Sequence, residues 1–124
     1  MTMFRLAAAA ALPLLFAAPA AAQPSTQTIT VFSYGFAPKP IHLAAGRPIT
    51  LTFTNTSGSS HDFVAKTFFG NSTITTGAAP EGEIDLPPHS TRSITLVPRV
   101  GTYKAHCSHF LHAQMGMTND IVVS

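Results

Sequence analysis

Short runs of alternating apolar and polar residues, each closed by a turn rich in Gly or Pro, leave this chain few ways to fold. Residues 49–54 read Ile-Thr-Leu-Thr-Phe-Thr. This puts Ile49, Leu51 and Phe53 on one face, the period-two signature of a half-buried strand. Ile29 and Val31 alternate in the same way, as do Ile84 with Leu86 and Ile94 with Leu96. Tyr103, Ala105 and Cys107 share one face of a further strand, with Lys104 and His106 on the other, and Ile121 to Val123 ends the chain as a short apolar strand. Ala45-Gly46-Arg47-Pro48, Ser57-Gly58-Ser59, Pro87-Pro88-His89-Ser90 and Val100-Gly101 punctuate these runs. The pattern predicts an all-β fold, a Greek-key β-sandwich or barrel. Ala65 to Pro80 is the least regular part. Its Phe68-Phe69 pair is expected to cover the core through a short helix or a loop, and the pattern does not choose between them.

The first residues read as a processing signal rather than as fold. Arg5 supplies a positive start, Leu6 to Phe16 an apolar run, and Ala20-Ala21-Ala22 a small-residue cleavage signal before Gln23. The run is too short and alanine-rich for a membrane anchor, and no charged stop-transfer flank follows. The expectation is therefore a cleaved signal peptide over 1–22, a single domain over 23–124, and a periplasmic or secreted product that does not stay inserted in a membrane. Without Arg5 the seven basic residues become six against five acidic ones. So even a balance argues against a nucleic-acid partner, which needs a concentrated basic face.

Donor atoms crowd one stretch, Tyr103 to Met117. It holds the single cysteine, three of the six histidines, and both methionines outside the extreme N-terminus. A lone Cys107 cannot form a disulfide within the chain, and haem attachment or an iron–sulfur cluster needs more cysteines. In an oxidising compartment a free thiol survives when it is buried or bound to metal. Burial as a small hydrophobe is the common fate of a free cysteine. Here His112 and Met117 follow at regular spacings and His61 lies upstream. Two imidazoles and a thiolate with a long axial thioether form the ligand set of an electron-transfer copper site.

The order of motifs resembles the cupredoxin family of small blue copper proteins. Phe36-Ala37-Pro38-Lys39-Pro40-Ile41 followed by Ala45-Gly46 is similar to the family's early strand pair. Phe53-Thr54-Asn55 leading to His61-Asp62-Phe63 resembles the segment that supplies the first histidine. Leu86-Pro87-Pro88 and then Val100-Gly101-Thr102-Tyr103 resemble the later hairpin. Cys107-x4-His112-x4-Met117, running into Ile121-Val122-Val123, resembles the ligand loop. The resemblance implies one copper ion held by His61, Cys107, His112 and Met117. It also implies a tie between Asp62, where relatives often carry Asn, and Ser108, and an apolar rim from Phe110 and Leu111 around the exposed edge of His112.

Two departures stand out. His109 adds an imidazole that the resemblance does not ask for and reads as a surface residue, since the trigonal donor set is already full. Met115 competes with Met117 for the axial place, and Gly116-Met117 favours the latter. His42, His89 and His106 read as exposed, and Glu81, Glu83 and Asp85 as a solvated face. Two functions remain open at this stage. One is a monomeric periplasmic one-electron carrier meeting redox partner proteins. The other is a copper-binding or delivery protein meeting copper donors and acceptors, which the extra donors favour. A zinc hydrolase lacks an obvious general base. Multicopper oxidases, copper nitrite reductases and binuclear copper sites need more domains, histidines or cysteines than this chain has, so no enzyme is expected.

Overall fold

The structure is a computed structural model and describes residues 2, 3, 7–15, 23–109 and 111–124. Arg5, Leu6, Phe16 and Ala20 to Ala22 of the expected leader, and Phe110 of the ligand loop, lie outside the described residues. Residues 7–15 are exposed and carry no helix or strand. Among the described residues no helix is long and apolar enough to cross a membrane.

Among the described residues, ten strands and one α-helix follow in chain order: β1 (Ser25–Phe32), β2 (Gly35–Ala37), β3 (Ile41–Leu43), β4 (Ile49–Asn55), β5 (His61–Val64), α1 (Lys66–Asn71), β6 (Thr73–Thr76), β7 (Glu83–Leu86), β8 (Thr91–Val97), β9 (Gly101–His106) and β10 (Thr118–Val123). They form two five-stranded sheets, ordered β2-β1-β4-β8-β6 and β3-β10-β9-β5-β7. This is the all-β sandwich that the alternation predicts. Within it β1 runs parallel to β4 and β10 parallel to β3, while the other pairs are antiparallel. The chain changes sheet at every step from β2 to β9, and β5 starts at the end of the sandwich that receives the loop after β9.

Residues of one parity fill the space between the sheets. Ile29, Leu51, Phe53, Leu86 and Leu96 are fully buried. Phe63 stands at the centre, edge-on to Phe36 with ring centroids 5.1 Å apart and tilted against Phe53 at 4.8 Å. Geometry of this kind adds to what burying aromatic surface already contributes.

The irregular stretch resolves into a helix and an edge strand. Helix α1 has six residues and no side-chain N-cap, too few to persist alone. Its stability comes from tertiary contact, since Phe68 and Phe69 are both buried and Phe68 packs edge-on against Tyr103 at 5.5 Å. Ser72 closes the helix, its hydroxyl donating to the Phe68 carbonyl at 2.7 Å. β6 is exposed along its whole length and is held by its ladder to β8.

Three polar side chains lock the frame. The Tyr103 hydroxyl donates back to the Arg99 and Val100 carbonyls (2.9 and 3.2 Å), closing the turn between β8 and β9. Asn119 Nδ2 donates to the Phe36 and Pro38 carbonyls and ties β10 to the exit of β2. Asn55 sits on the core-facing parity of β4 after Ile49, Leu51 and Phe53, and it too is buried. Its Nδ2 donates to the carbonyls of Ser59, Leu86 and Pro87, and its Oδ1 accepts from the Ser57 amide and hydroxyl. One amide thus fixes the loop that leads into His61.

Candidate metal centre

Cys107 lies one step beyond β9 and continues the buried face of Tyr103 and Ala105. Its N–H donates to the Met117 carbonyl at 3.1 Å, which joins the two ends of the ligand loop just before β10 begins. Inside the loop the chain turns repeatedly, with His112 N–H bonded to the His109 carbonyl and Met117 N–H to the His112 carbonyl, both at 3.0 Å. Gly116 takes φ +96° and Leu111 takes φ +64°. The left-handed region suits glycine but costs a leucine about 1–2 kcal/mol, so the loop is strained immediately before His112.

The fold brings three of the four expected ligands together at atomic range. The Nδ1 atoms of His61 and His112 lie 3.2 Å apart, and Cys107 Sγ lies 3.9 Å from the first and 3.4 Å from the second. Met117 is placed by its backbone bond to Cys107, and its side chain is fully buried, whereas Met115 is 56% exposed. His61 and Cys107 are each only 1% exposed and His112 is half-buried. His42, His89 and His106 are exposed and contribute no donor to this cluster.

Groups outside the donor set fix the rings. Ser33, in the turn between β1 and β2, places its hydroxyl 3.1 Å from His61 Nε2, which leaves Nδ1 to face Cys107. The next residue, Tyr34, packs edge-on to the His112 ring with centroids 5.0 Å apart. His109 is exposed but not isolated, because its ring stacks on His112 at 5.6 Å and meets His61 at 6.5 Å. Ser33 and Tyr34 gave no sign of this in the sequence, where nothing marks the pair as part of a site. Asn55 could have been found, since it interrupts an apolar parity.

The expected tie between Asp62 and Ser108 is present. The Ser108 N–H donates to Asp62 Oδ1 at 2.6 Å, and the Ser108 hydroxyl donates to Oδ2. Asp62 is buried, and it faces Asp85 across the β5–β7 ladder. Its carboxylate lies within 4.8 Å of those of Glu83 and Asp85. Among the described residues the one ion pair is Lys104–Asp120, at 2.6 Å, so none of these three acids takes part in one.

Burial pushes the Cys107 thiol up from its ordinary value, and the Asp62 carboxylate adds to the rise, against hydrogen bonds from the amides of Asp62 and His109. Burial lowers the His61 imidazole, helped by the neighbouring His112 and His109 and opposed by Asp62. Both shifts carry a stability consequence for the metal-free protein. A depressed His61 contributes stability above the ordinary value of 6.5 and loses it as pH falls through the folded value. A raised Cys107 contributes below 9.0 and loses it as pH rises through the folded value. Denaturant titrations of the metal-free protein are therefore expected to show a plateau between these limits, and His61→Gln should flatten the acid side below 6.5.

The donor set, two imidazoles and a thiolate with a buried thioether alongside, fits a thiophilic, imidazole-tolerant metal. The family model described as "Cupredoxin-like domain" matches residues 5–123. The chain belongs to the cupredoxin family. No curated protein matches this cupredoxin significantly in sequence. Among solved structures it resembles auracyanin B, at 20% identity over 84% of this chain and 92% of that one, with a TM-score of 0.59. It also resembles the dithionite-reduced auracyanin of the photosynthetic bacterium Roseiflexus castenholzii (21%, 83% and 99%, TM-score 0.61). Auracyanin A, a "blue" copper protein of the green thermophilic photosynthetic bacterium Chloroflexus aurantiacus, is similar too (18%, 82% and 100%, TM-score 0.60). At such identities the likeness concerns the fold.

Proposed function

We propose that this cupredoxin is an exported one-electron carrier in which His61, Cys107, His112 and Met117 hold a single copper ion. The observation that carries the reading is the meeting of two imidazole nitrogens and one sulfur within 4.8 Å of one another, with Cys107 and Met117 part of the buried core cluster. In this reading residues 1–22 are removed on export and 23–124 form the mature periplasmic protein, a monomer meeting soluble redox partners. A single domain with one cysteine and six histidines makes a carrier rather than a catalyst.

Copper, when bound, supplies a one-electron couple between Cu(II) and Cu(I). The chain's own part is to keep the donors in place through that exchange. β5 and the ligand loop are braced by the Asp62–Ser108 tie, His61 by Ser33, and the loop ends by the Cys107–Met117 bond. The backbone amides of Asp62 and His109 favour the charged form of Cys107 against its burial. His112 is the one imidazole of the three donors that reaches solvent, and it offers the shortest way out for an electron. Copper added to the purified mature chain should give an intense thiolate-to-copper visible band and a narrow hyperfine splitting. A pale, ordinary tetragonal spectrum would defeat the reading.

Asp62 sets a further expectation. An anionic carboxylate beside the cysteine favours the more highly charged metal. Asp62→Asn keeps an acceptor for Ser108 and removes the charge, and it is expected to raise the reduction potential by on the order of tens of millivolts. Protein-film voltammetry of the two proteins checks this; a fall in potential would contradict it.

One observation favours a second reading, copper delivery: His109 lies against His112 at the mouth of the site. Rapid release of Cu(I) to a competing chelator at neutral pH would support delivery over carriage.

A further inference from the structure

We infer that His109 is the landing ligand through which copper reaches and leaves the buried site, bound in passage and released once the ion is seated. The inference rests on the copper reading above. Its basis is how unevenly the donors meet solvent. Cys107, His61 and Met117 are sealed in, and His112 is half-buried beneath two neighbours, the Tyr34 ring on one contact and the His109 ring on another. An arriving ion therefore cannot meet the thiolate first.

His109 is the exposed imidazole that touches both inner histidines. Its ring is nearly parallel to that of His112, at 21°, and edge-on to that of His61. It also lines an open cleft with Ser60, Asp85, Leu86 and Pro87, at the floor of which lies His61. A cation entering this cleft passes a carboxylate and an imidazole before it reaches the buried ring. Imidazole suits both copper oxidation states and exchanges more readily than a buried thiolate. Because both rings present in-plane nitrogens at the same mouth, an ion can exchange one imidazole for the other without being left unpaired in the buried part of the site, where a lone charge is costly. His109 lies outside the group whose donor atoms mutually approach within 4.8 Å, as befits a ligand used in passage and not at rest.

A ligand that acts only in passage changes rates without changing the equilibrium. The test mixes metal-free protein with aqueous Cu(II) in a stopped-flow cell and follows the visible band, then follows its loss to a chelator in excess. His109→Ala and His109→Gln are both expected to load several-fold more slowly than the unaltered chain. They should release more slowly by the same factor, with the final spectrum and the affinity unchanged. His42→Ala, exposed on β3 and paired with Val122 rather than with the ligand loop, should load normally. Unaltered rates in both His109 variants would overturn the inference, and so would a changed final spectrum, which would make His109 a permanent ligand. If the unaltered chain forms no intense band, the copper reading falls and takes the inference with it. Normal loading of the unaltered chain and of the His109 variants alike defeats the inference alone.

Discussion

Cys107→Ser is expected to abolish the intense visible band and to weaken copper binding by more than the roughly 10–100-fold that outer partners of a metal site command. The band needs a sulfur orbital, and a serine hydroxyl at this position is neither a soft donor nor ionised at neutral pH. Folding should survive. Serine is close in size, and the backbone amides of Asp62 and His109 that favour the thiolate can serve a hydroxyl oxygen instead. Placing a hydroxyl at a site that is 1% exposed costs about 1–2 kcal/mol if its hydrogen bonds are imperfect. The pairing of a large spectroscopic loss with a small change in thermal midpoint separates a ligand from a buried hydrophobe. A merely structural cysteine would behave in the opposite way, since Cys107→Ser would then cost stability and leave any copper spectrum intact. Retention of the same band in Cys107→Ser would remove the thiolate from the site altogether.

How much of this could be read from the residues depends on the distance over which each feature is encoded. Strand parity is local, so the burial of Ile49, Leu51 and Phe53, or of Tyr103, Ala105 and Cys107, follows from alternation alone. The ligand loop is also local, with Cys107, His112 and Met117 at fixed intervals. The approach of His61 to Cys107 spans 46 positions and rested on resemblance, not on pattern. Helix α1 was ambiguous for a physical reason. Six residues without a side-chain cap carry too little propensity to announce themselves, and the helix exists because Phe68 and Phe69 have a core to enter. β6 was missed because an edge strand with no buried face has no alternation to display. Ser33 and Tyr34 act on rings that belong to other strands, so nothing in their own neighbourhood pointed to them. His109 read correctly as exposed, but its contacts with two imidazoles depend on how the loop turns through Leu111.

Asn55 carries the other large expectation, because its one side chain bonds three segments, the end of β4, the Ser57–Ser59 loop and the end of β7. Replacing it with Ala deletes the donors to the Ser59, Leu86 and Pro87 carbonyls and the acceptor for Ser57. The Leu86 carbonyl bond is buried, and a buried carbonyl without a donor costs about 1–3 kcal/mol. With the small void added, Asn55→Ala is expected to destabilise the metal-free protein by about 2–3 kcal/mol. For a domain of this size that lowers Tm by roughly 10–20 °C. Because the loop from Ser57 to Ser60 runs directly into His61, the lost restraint should also appear as weaker copper binding. Calorimetry of the metal-free and copper-loaded forms measures both effects, since binding adds stability in proportion to the logarithm of the affinity. Asn55→Asp distinguishes hydrogen-bond donation from packing. It fills the same volume and still accepts from Ser57, yet it turns a carboxylate oxygen toward the carbonyls that Nδ2 now satisfies. It should therefore be at least as damaging as Ala. If Asn55→Asp proves as stable as the unaltered chain, the donated bonds contribute nothing, and the loop before His61 is held by its packing.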